Sequence, residues 1–405
     1  MKQEHSLRRK VLLSAGIILL YITARALPMP WVYREAAEEA TGGLFAWMRL
    51  TMGTDAQAGT FLALGLTPMI SASIILQLSG AYAGKKRRHW SAMEQKRRVR
   101  RLALGIGVLQ AAMMVPSMRF REGNLSPYAL YVLTVFSLVC GTFLVIALAQ
   151  WNEKSGIGGT APLILVNMTG NTGLRILHAC AEGRLLQNPS RDLPVIFCTV
   201  FIVAVTVVLE KAEMRLPVRR VMIHNAFAGD DYIAIRLNPA GTMPAMYAMM
   251  LFSLPQRLAQ TAMRVFPETK TLPFIAGTLN LDTYAGIVLF MVLMPALSLL
   301  LSRLMLAPER MAEDMQKAGD YIDAVRAGRD TARYLSVRIR VLSLVSGTVM
   351  CVLICVPQIY RLYARMESLL LLTPVSVMML TGIILRLLEE VRAEVLLGDY
   401  VPFLP

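Results

Sequence analysis

Charge is scarce in this chain, and acidic charge is the scarcer: 17 % of the 405 residues are charged, with 27 aspartates and glutamates against 42 lysines and arginines. Histidine occurs only 4 times and cysteine 5 times. Cys140, Cys180, Cys198, Cys351 and Cys355 form no C-x-x-C pair, so neither a zinc site nor a redox motif is supported. The stretch Gly80 to Lys86 lacks the G-x-x-x-x-G-K-[ST] spacing of a phosphate loop. No metal cluster, Ser–His arrangement or acid pair falls within the apolar runs. These absences speak against an intramembrane enzyme. They imply no cofactor and no ATP site, so any energy must come from a partner.

What is abundant is apolar sequence, 55 % of the chain. A helix needs about 20 apolar residues to cross roughly 30 Å of hydrocarbon. Ten runs approach that length: 11–29, 59–80, 102–118, 127–150, 161–180, 193–211, 237–261, 282–306, 336–358 and 367–388. The expected fold class is all-α and polytopic, with ten transmembrane helices in a single membrane domain, 1–405. The net charge of +15 would suggest nucleic acid in a soluble protein. Here most of the basic residues fall on alternate links when the N-terminus is placed inside, which predicts cytoplasmic N- and C-termini in a cell membrane. The run Lys85-Lys86-Arg87-Arg88 with Lys96-Arg97-Arg98 reads as a topology signal touching anionic lipid, or as a partner-docking patch. The basic start at Arg8, Arg9 and Lys10 leads into an apolar run with no small-residue cleavage site, and is expected to be the first span.

Two spans are interrupted in corresponding places. Leu64-Gly65-Leu66-Thr67-Pro68 lies in the second span of one half, Asn238-Pro239-Ala240-Gly241-Thr242-Met243-Pro244 in the second span of the other. Broken helices at matching positions point to an inverted repeat, here 1–185 and 186–405, with the functional site between the halves. Glycine and proline are also common in membrane helices generally. A small-solute transporter would share this pattern but needs costly mid-membrane charge. The runs Phe61–Leu78 and Leu237–Gln256 carry none. The mixed stretch 42–60 is too short to span and suits a re-entrant or surface helix.

Four segments carry a resemblance. Ala63 through Leu78, reading Ala-Leu-Gly-Leu-Thr-Pro-Met-Ile-Ser-Ala-Ser-Ile-Ile-Leu-Gln-Leu, closely resembles the second-helix signature of the SecY family of protein-export channels. Trp151-Asn152-Glu153-Lys154-Ser155-Gly156-Ile157-Gly158-Gly159 is similar to that family's loop before the fifth helix, and the 238–244 segment to the start of its seventh. Arg326-Ala327-Gly328-Arg329-Asp330-Thr331-Ala332-Arg333-Tyr334-Leu335 is similar to the tip of its large cytoplasmic loop. Three departures stand out: Gly159-Thr160-Ala161-Pro162 in place of Asn-Gly-Ile-Ser, Asp323-Ala324-Val325 in place of Ile-Pro-Gly, and a methionine-rich 242–249. With the somewhat short chain, they look like the family's accessory branch in Gram-positive bacteria, which exports serine-rich, glycosylated surface adhesins. A housekeeping general-secretion channel is the alternative.

The resemblance implies a pore ring of Leu66, Ile70, Leu165, Thr169, Met246 and Met379, with Thr169 standing where the family usually has an apolar residue. It implies a plug in 42–60, including Leu44, Phe45, Trp47, Met48 and Met52. Ser71, Gln77 and Asn238 match lateral-gate positions. Arg326 matches the arginine where a SecA-type motor ATPase docks, and Arg219 and Arg220 in the other large inner loop are weaker candidates. The implied partners are that motor, SecE- and SecG-like small subunits, an unfolded precursor with its signal peptide, and membrane lipid; no nucleic acid is expected.

Overall fold

Each of the ten apolar runs contains a helix in the computed structural model, which describes residues 2–33, 59–82, 92–118, 120–121, 126–170, 189–220, 232–265, 271–281, 283–323, 325–364 and 373–400. In chain order the helices are α1 (Lys2–Ala26), α2 (Thr67–Tyr82), α3 (Ala92–Met114), α4 (Pro127–Ser155) and α5 (Ala161–Gly170). There follow α6 (Pro189–Lys211), α7 (Met243–Val265), α8 (Thr271–Thr278), α9 (Tyr284–Leu306), α10 (Pro308–Ala318), α11 (Arg329–Ala364) and α12 (Thr373–Tyr400). Four short strands lie among them: β1 (Glu213–Pro217), β2 (Arg219–Arg220), β3 (Tyr232–Arg236) and β4 (Asp320–Tyr321). Among the described residues, Pro127–Ser155, Leu193–Lys211, Tyr284–Ala318 and Arg329–Tyr360 are long and apolar enough to cross a membrane. Large apolar side chains such as Phe136, Phe197, Val288 and Val352 are exposed on their outer faces. That arrangement suits a solvent of lipid rather than water.

The helix ends follow local chemistry. Ser126 caps α4 by accepting the Ala129 N–H at 3.3 Å, with Pro127 at the first helical position, where no N–H is needed. Thr283 caps α9 in the same way through Gly286. At the far end of α9, Ala307 adopts φ 40° and Pro308 then starts α10. Where α9 meets α11 the residues are small. A Cβ on Gly347 would lie 2.7 Å from the Ser298 Cβ, and Ser298 Oγ donates to the Ser343 carbonyl at 2.9 Å. Small residues and shared hydroxyls bring apolar helices together where no hydrophobic drive exists between them.

Two helices start later than the apolar pattern predicts. The second run was expected to be helical from 59, yet α2 begins at Thr67. Residues 60–66 instead form successive turns, with Ala63 N–H on Thr60 O at 3.2 Å and Gly65 N–H on Leu62 O at 2.8 Å. Similarly α7 begins at Met243 rather than 237. The cause is glycine in the left-handed region, φ 51° at Gly65 and 58° at Gly241, each two residues before its helix. Gly159, at φ 52°, precedes α5 at the same offset. These turns are held in protein. Leu62, Leu64 and Leu66 are all buried, and the Pro28–Thr60 bridge ties the segment to the end of α1.

One large apolar cluster joins α1, α2, α4, α5, α6, α7, α9, α11 and α12. A second, around Met29, Leu64, Met114 and Leu138, packs the turn segment against α3 and α4. Gly141 on α4 makes that packing possible, since a Cβ there would fall 2.0 Å from the Phe61 carbonyl oxygen. Gly141→Val should therefore destabilise the fold by about 1–3 kcal/mol through overpacking. Thermal unfolding of the detergent-solubilised protein measures it. Gly105→Ala on α3, where a Cβ meets nothing within 4 Å, should leave the melting temperature unchanged or slightly raised.

Candidate functional site

The delayed helix starts decide where the expected ring residues sit. Ile70 and Met246 each stand three residues into their helices, and Leu165 four residues into α5. Leu66, Met246 and Met379 are 2 %, 8 % and 0 % exposed, and belong to the large central cluster. Ile70 and Leu165 are partly buried against the same cluster. Four elements from both halves of the sequence thus bring five of these side chains into one apolar body. Thr169, one turn beyond Leu165, is exposed and lies outside it. Methionine is prominent in the surroundings: Met168, Met249, Met250 and Met378 are buried and Met69 and Met243 partly so. Unbranched thioether side chains repack readily around changing neighbours.

The expected gate residues face different partners. Ser71 Oγ lies 2.7 Å from the Thr67 carbonyl of its own helix and 3.0 Å from the Met250 sulfur of α7. Gln110 on α3 reaches it with Nε2 at 3.4 Å. Gln77 Oε1 accepts from the Tyr247 hydroxyl at 3.0 Å, a second contact between α2 and α7. Asn238 sits elsewhere, its Nδ2 donating to the buried carboxylate of Glu210 at the end of α6, 3.2 Å away. Gln110 and Tyr247 were missed by sequence reasoning. Gln110 is a lone amide in the apolar stretch 102–116, which was the available signal; Tyr247 shares its run with Asn238, Thr242, Ser253 and Gln256 and gave none.

The two long links meet in one small unit. Strands β1 and β3 pair antiparallel from Glu213↔Arg236 to Pro217↔Tyr232, and β2 pairs with β4 as Arg219↔Tyr321 and Arg220↔Asp320. A separate core of Leu216, Val218, Ile235, Ala312, Met315, Ile322, Leu335 and Ile339 lies beneath. Arg219 Nε contacts Asp323 Oδ2 at 3.0 Å on its surface, and exposed Arg326 follows three residues on, its carbonyl taking the Thr331 hydroxyl at 2.8 Å. The arginines expected to dock a motor therefore belong to a single platform. Leu44, Phe45, Trp47, Met48 and Met52 lie outside the described residues. A cavity of about 550 Å³ with a mixed lining opens between α2, α3, α4 and the 156–160 turn, where Gln77, Lys96, Arg100, Glu153 and Glu390 meet Met69, Val99 and Ile146.

Long apolar helices around an apolar centre, with a folded platform on the long links, define the class: a polytopic helical membrane protein. The SecY family model matches residues 60–388. The chain belongs to the SecY family. An accessory Sec system protein translocase subunit SecY2 of Streptococcus sanguinis is 28 % identical over 97 % of each chain. Another from Leuconostoc gelidum is 26 % identical, covering 98 % of this chain and 96 % of its own. In fold, the chain matches a protein-conducting channel with a TM-score of 0.70 at 16 % identity, over 97 % of this chain and 94 % of the other. It also matches, with a TM-score of 0.68 at 17 % identity over 97 % and 93 %, a SecY whose plug domain stabilises the closed state and maintains a membrane seal.

The Gln77–Tyr247 contact makes an asymmetric prediction. Tyr247→Phe removes the donor and should cost at most about 1 kcal/mol. Gln77→Leu leaves the buried tyrosine hydroxyl without its acceptor and should cost about 1–3 kcal/mol. Thermal unfolding of the two variants in the same detergent compares them.

Proposed function

We propose that this chain is the pore-forming subunit of an accessory Sec translocase, exporting unfolded, serine-rich and glycosylated surface proteins across the cell membrane. Near-full-length similarity to accessory SecY2 subunits supports the accessory reading. The observation that carries the pore is the convergence of Leu66, Ile70, Leu165, Met246 and Met379 in one apolar cluster. The chain is one membrane domain of ten spans in two halves, 1–185 and 186–405, with the termini and the platform on the cytoplasmic side. Basic links on that side favour this orientation.

A dry apolar constriction resists wetting and needs no covalent gate. Methionine and leucine part around an extended chain and close behind it. Thr169 extends the lining one turn beyond Leu165. The 42–60 segment is the plug, and it yields when the ring opens. A signal peptide brings about 7–15 apolar residues, which reach lipid when α2 and α7 separate. The contacts to be broken there, Gln77–Tyr247 and Ser71–Met250, are single polar pairs of roughly 1 kcal/mol each. Asn238 acts at the foot of α7 by holding Glu210. A SecA-type motor supplies the energy from Arg326, with Arg219 and Arg220 beside it, and SecE- and SecG-like subunits complete the complex.

A photo-crosslinker at Ile70 and at Met246 should capture a secretory precursor stalled in transit; lipid adducts alone at both positions count against the ring. Arg326→Glu should block motor-driven export in inverted vesicles while membrane insertion of the channel is retained. Deleting the gene should abolish export of the adhesin class and spare general secretion, whereas lethality with global export failure marks the housekeeping role instead.

A further inference from the structure

From its midpoint on, α12 carries Arg386, Glu389, Glu390 and Glu394 among its charged side chains, and the ring, gate and platform do not use them. They sort by partner. Arg386 Nη2 donates to the Ala240 carbonyl at 2.9 Å, in the turn that launches α7. Glu389 Oε2 lies 2.7 Å from Arg236 Nη2 at the end of β3. Both of those partners belong to the second half. Glu390 Oε1 accepts the Gly158 N–H at 3.1 Å, in the turn that launches α5, and Glu394 pairs with Lys10 of α1. Both of these belong to the first half.

The fit at the two turns is close. A Cβ on Gly241 would fall 1.7 Å from Arg386 Nη2, and one on Gly158 would fall 2.4 Å from Leu387 Cδ1. Adjacent residues of one helix therefore seat on left-handed glycines from opposite halves, at φ 58° and 80°. The charge of Arg386 also acts on buried Glu210, which Asn238 holds. The Lys10–Glu394 and Arg236–Glu389 pairs are each a third or more exposed, so they are weak singly and break reversibly.

We propose that the end of α12 is a two-sided latch, registering the start of α5 against the start of α7 and so holding the two halves of the chain together. Arg386 and Leu387 seat the two launch turns. Glu390 and Glu394 are the arm that lets go when the halves separate. This rests on the pore reading for its consequence, though not for its geometry.

The test uses the full chain with its co-purifying subunits in proteoliposomes, spin-labelled at Val132 on α4 and Val288 on α9. Glu394→Lys and Glu390→Ala should each broaden the inter-label distance distribution and raise ion leak about threefold, the scale of losing one half-exposed charge contact. The swap Lys10→Glu with Glu394→Lys should restore both readouts, which misfolding would not do. Arg392→Glu, on the same turns but outside these contacts, should change neither. Wild-type distances and leak in Glu394→Lys and Glu390→Ala overturn the latch, as does a swap that fails to restore them. Should the distances move as stated while the wild-type vesicles carry no precursor, the latch stands and the pore reading falls.

Discussion

A helix that starts inside a membrane protein leaves its first N–H groups without partners in its own helix, and hydrocarbon offers no water to take them. In this chain three helices meet that constraint with one device. A left-handed glycine, Gly65, Gly159 or Gly241, stands two residues before α2, α5 or α7. The first helical N–H reaches the carbonyl three residues back: Thr67 to Leu64 at 3.2 Å, Ala161 to Gly158 at 2.9 Å and Met243 to Ala240 at 3.3 Å. The second position is proline, Pro68, Pro162 or Pro244, which has no N–H to satisfy. By the fourth residue the bonding is helical, with Ile70 on Leu66, Ile164 on Thr160 and Met246 on Thr242. The helices can then begin where the central cluster is, and the ring candidates follow one turn later.

The materials of the centre answer opposed demands. As the proposed pore it would have to exclude water and ions, which calls for large apolar side chains, and yield to a passing chain, which argues against rigid close packing. Methionine meets both needs, and Met246, Met249, Met250, Met378 and Met379 bring it from α7 and α12 into the central cluster. Elsewhere the bundle takes the opposite course. Gly141 against Phe61 and Gly347 against Ser298 allow backbone-to-backbone approach and fix the frame around the yielding part. The loop platform has its own small core beneath Arg219 and Arg326, so these arginines stand on folded structure.

Ten apolar runs, the interrupted second and seventh helices and the bias of basic charge were legible in the sequence, because hydropathy and helix breakers are local properties that survive without coordinates. The family was legible through four contiguous motifs for the same reason. Boundaries were less so. Apolar character continues through 59–66 although the backbone there turns, the mixed 237–242 segment adjoins an apolar run without marking where its helix begins, and the sequence periodicity carries no record of a left-handed glycine. Repetition of Gly-x-x-Pro before α2, α5 and α7 is visible once the turns are known.

Tertiary structure alone decided which distant residues meet. Asn238 turns to Glu210, while Tyr247 and Gln110 supply the partners of Gln77 and Ser71. The links 212–236 and 307–328 share one core, and α12 reaches both halves. Composition determined that this chain lives in lipid as a bundle of helices, since burial of about 20 apolar residues at a time has no other outlet. Pairing between helices is set instead by a few polar atoms and small residues tens to hundreds of positions apart, and in an apolar solvent no pattern along the chain distinguishes one neighbour from another.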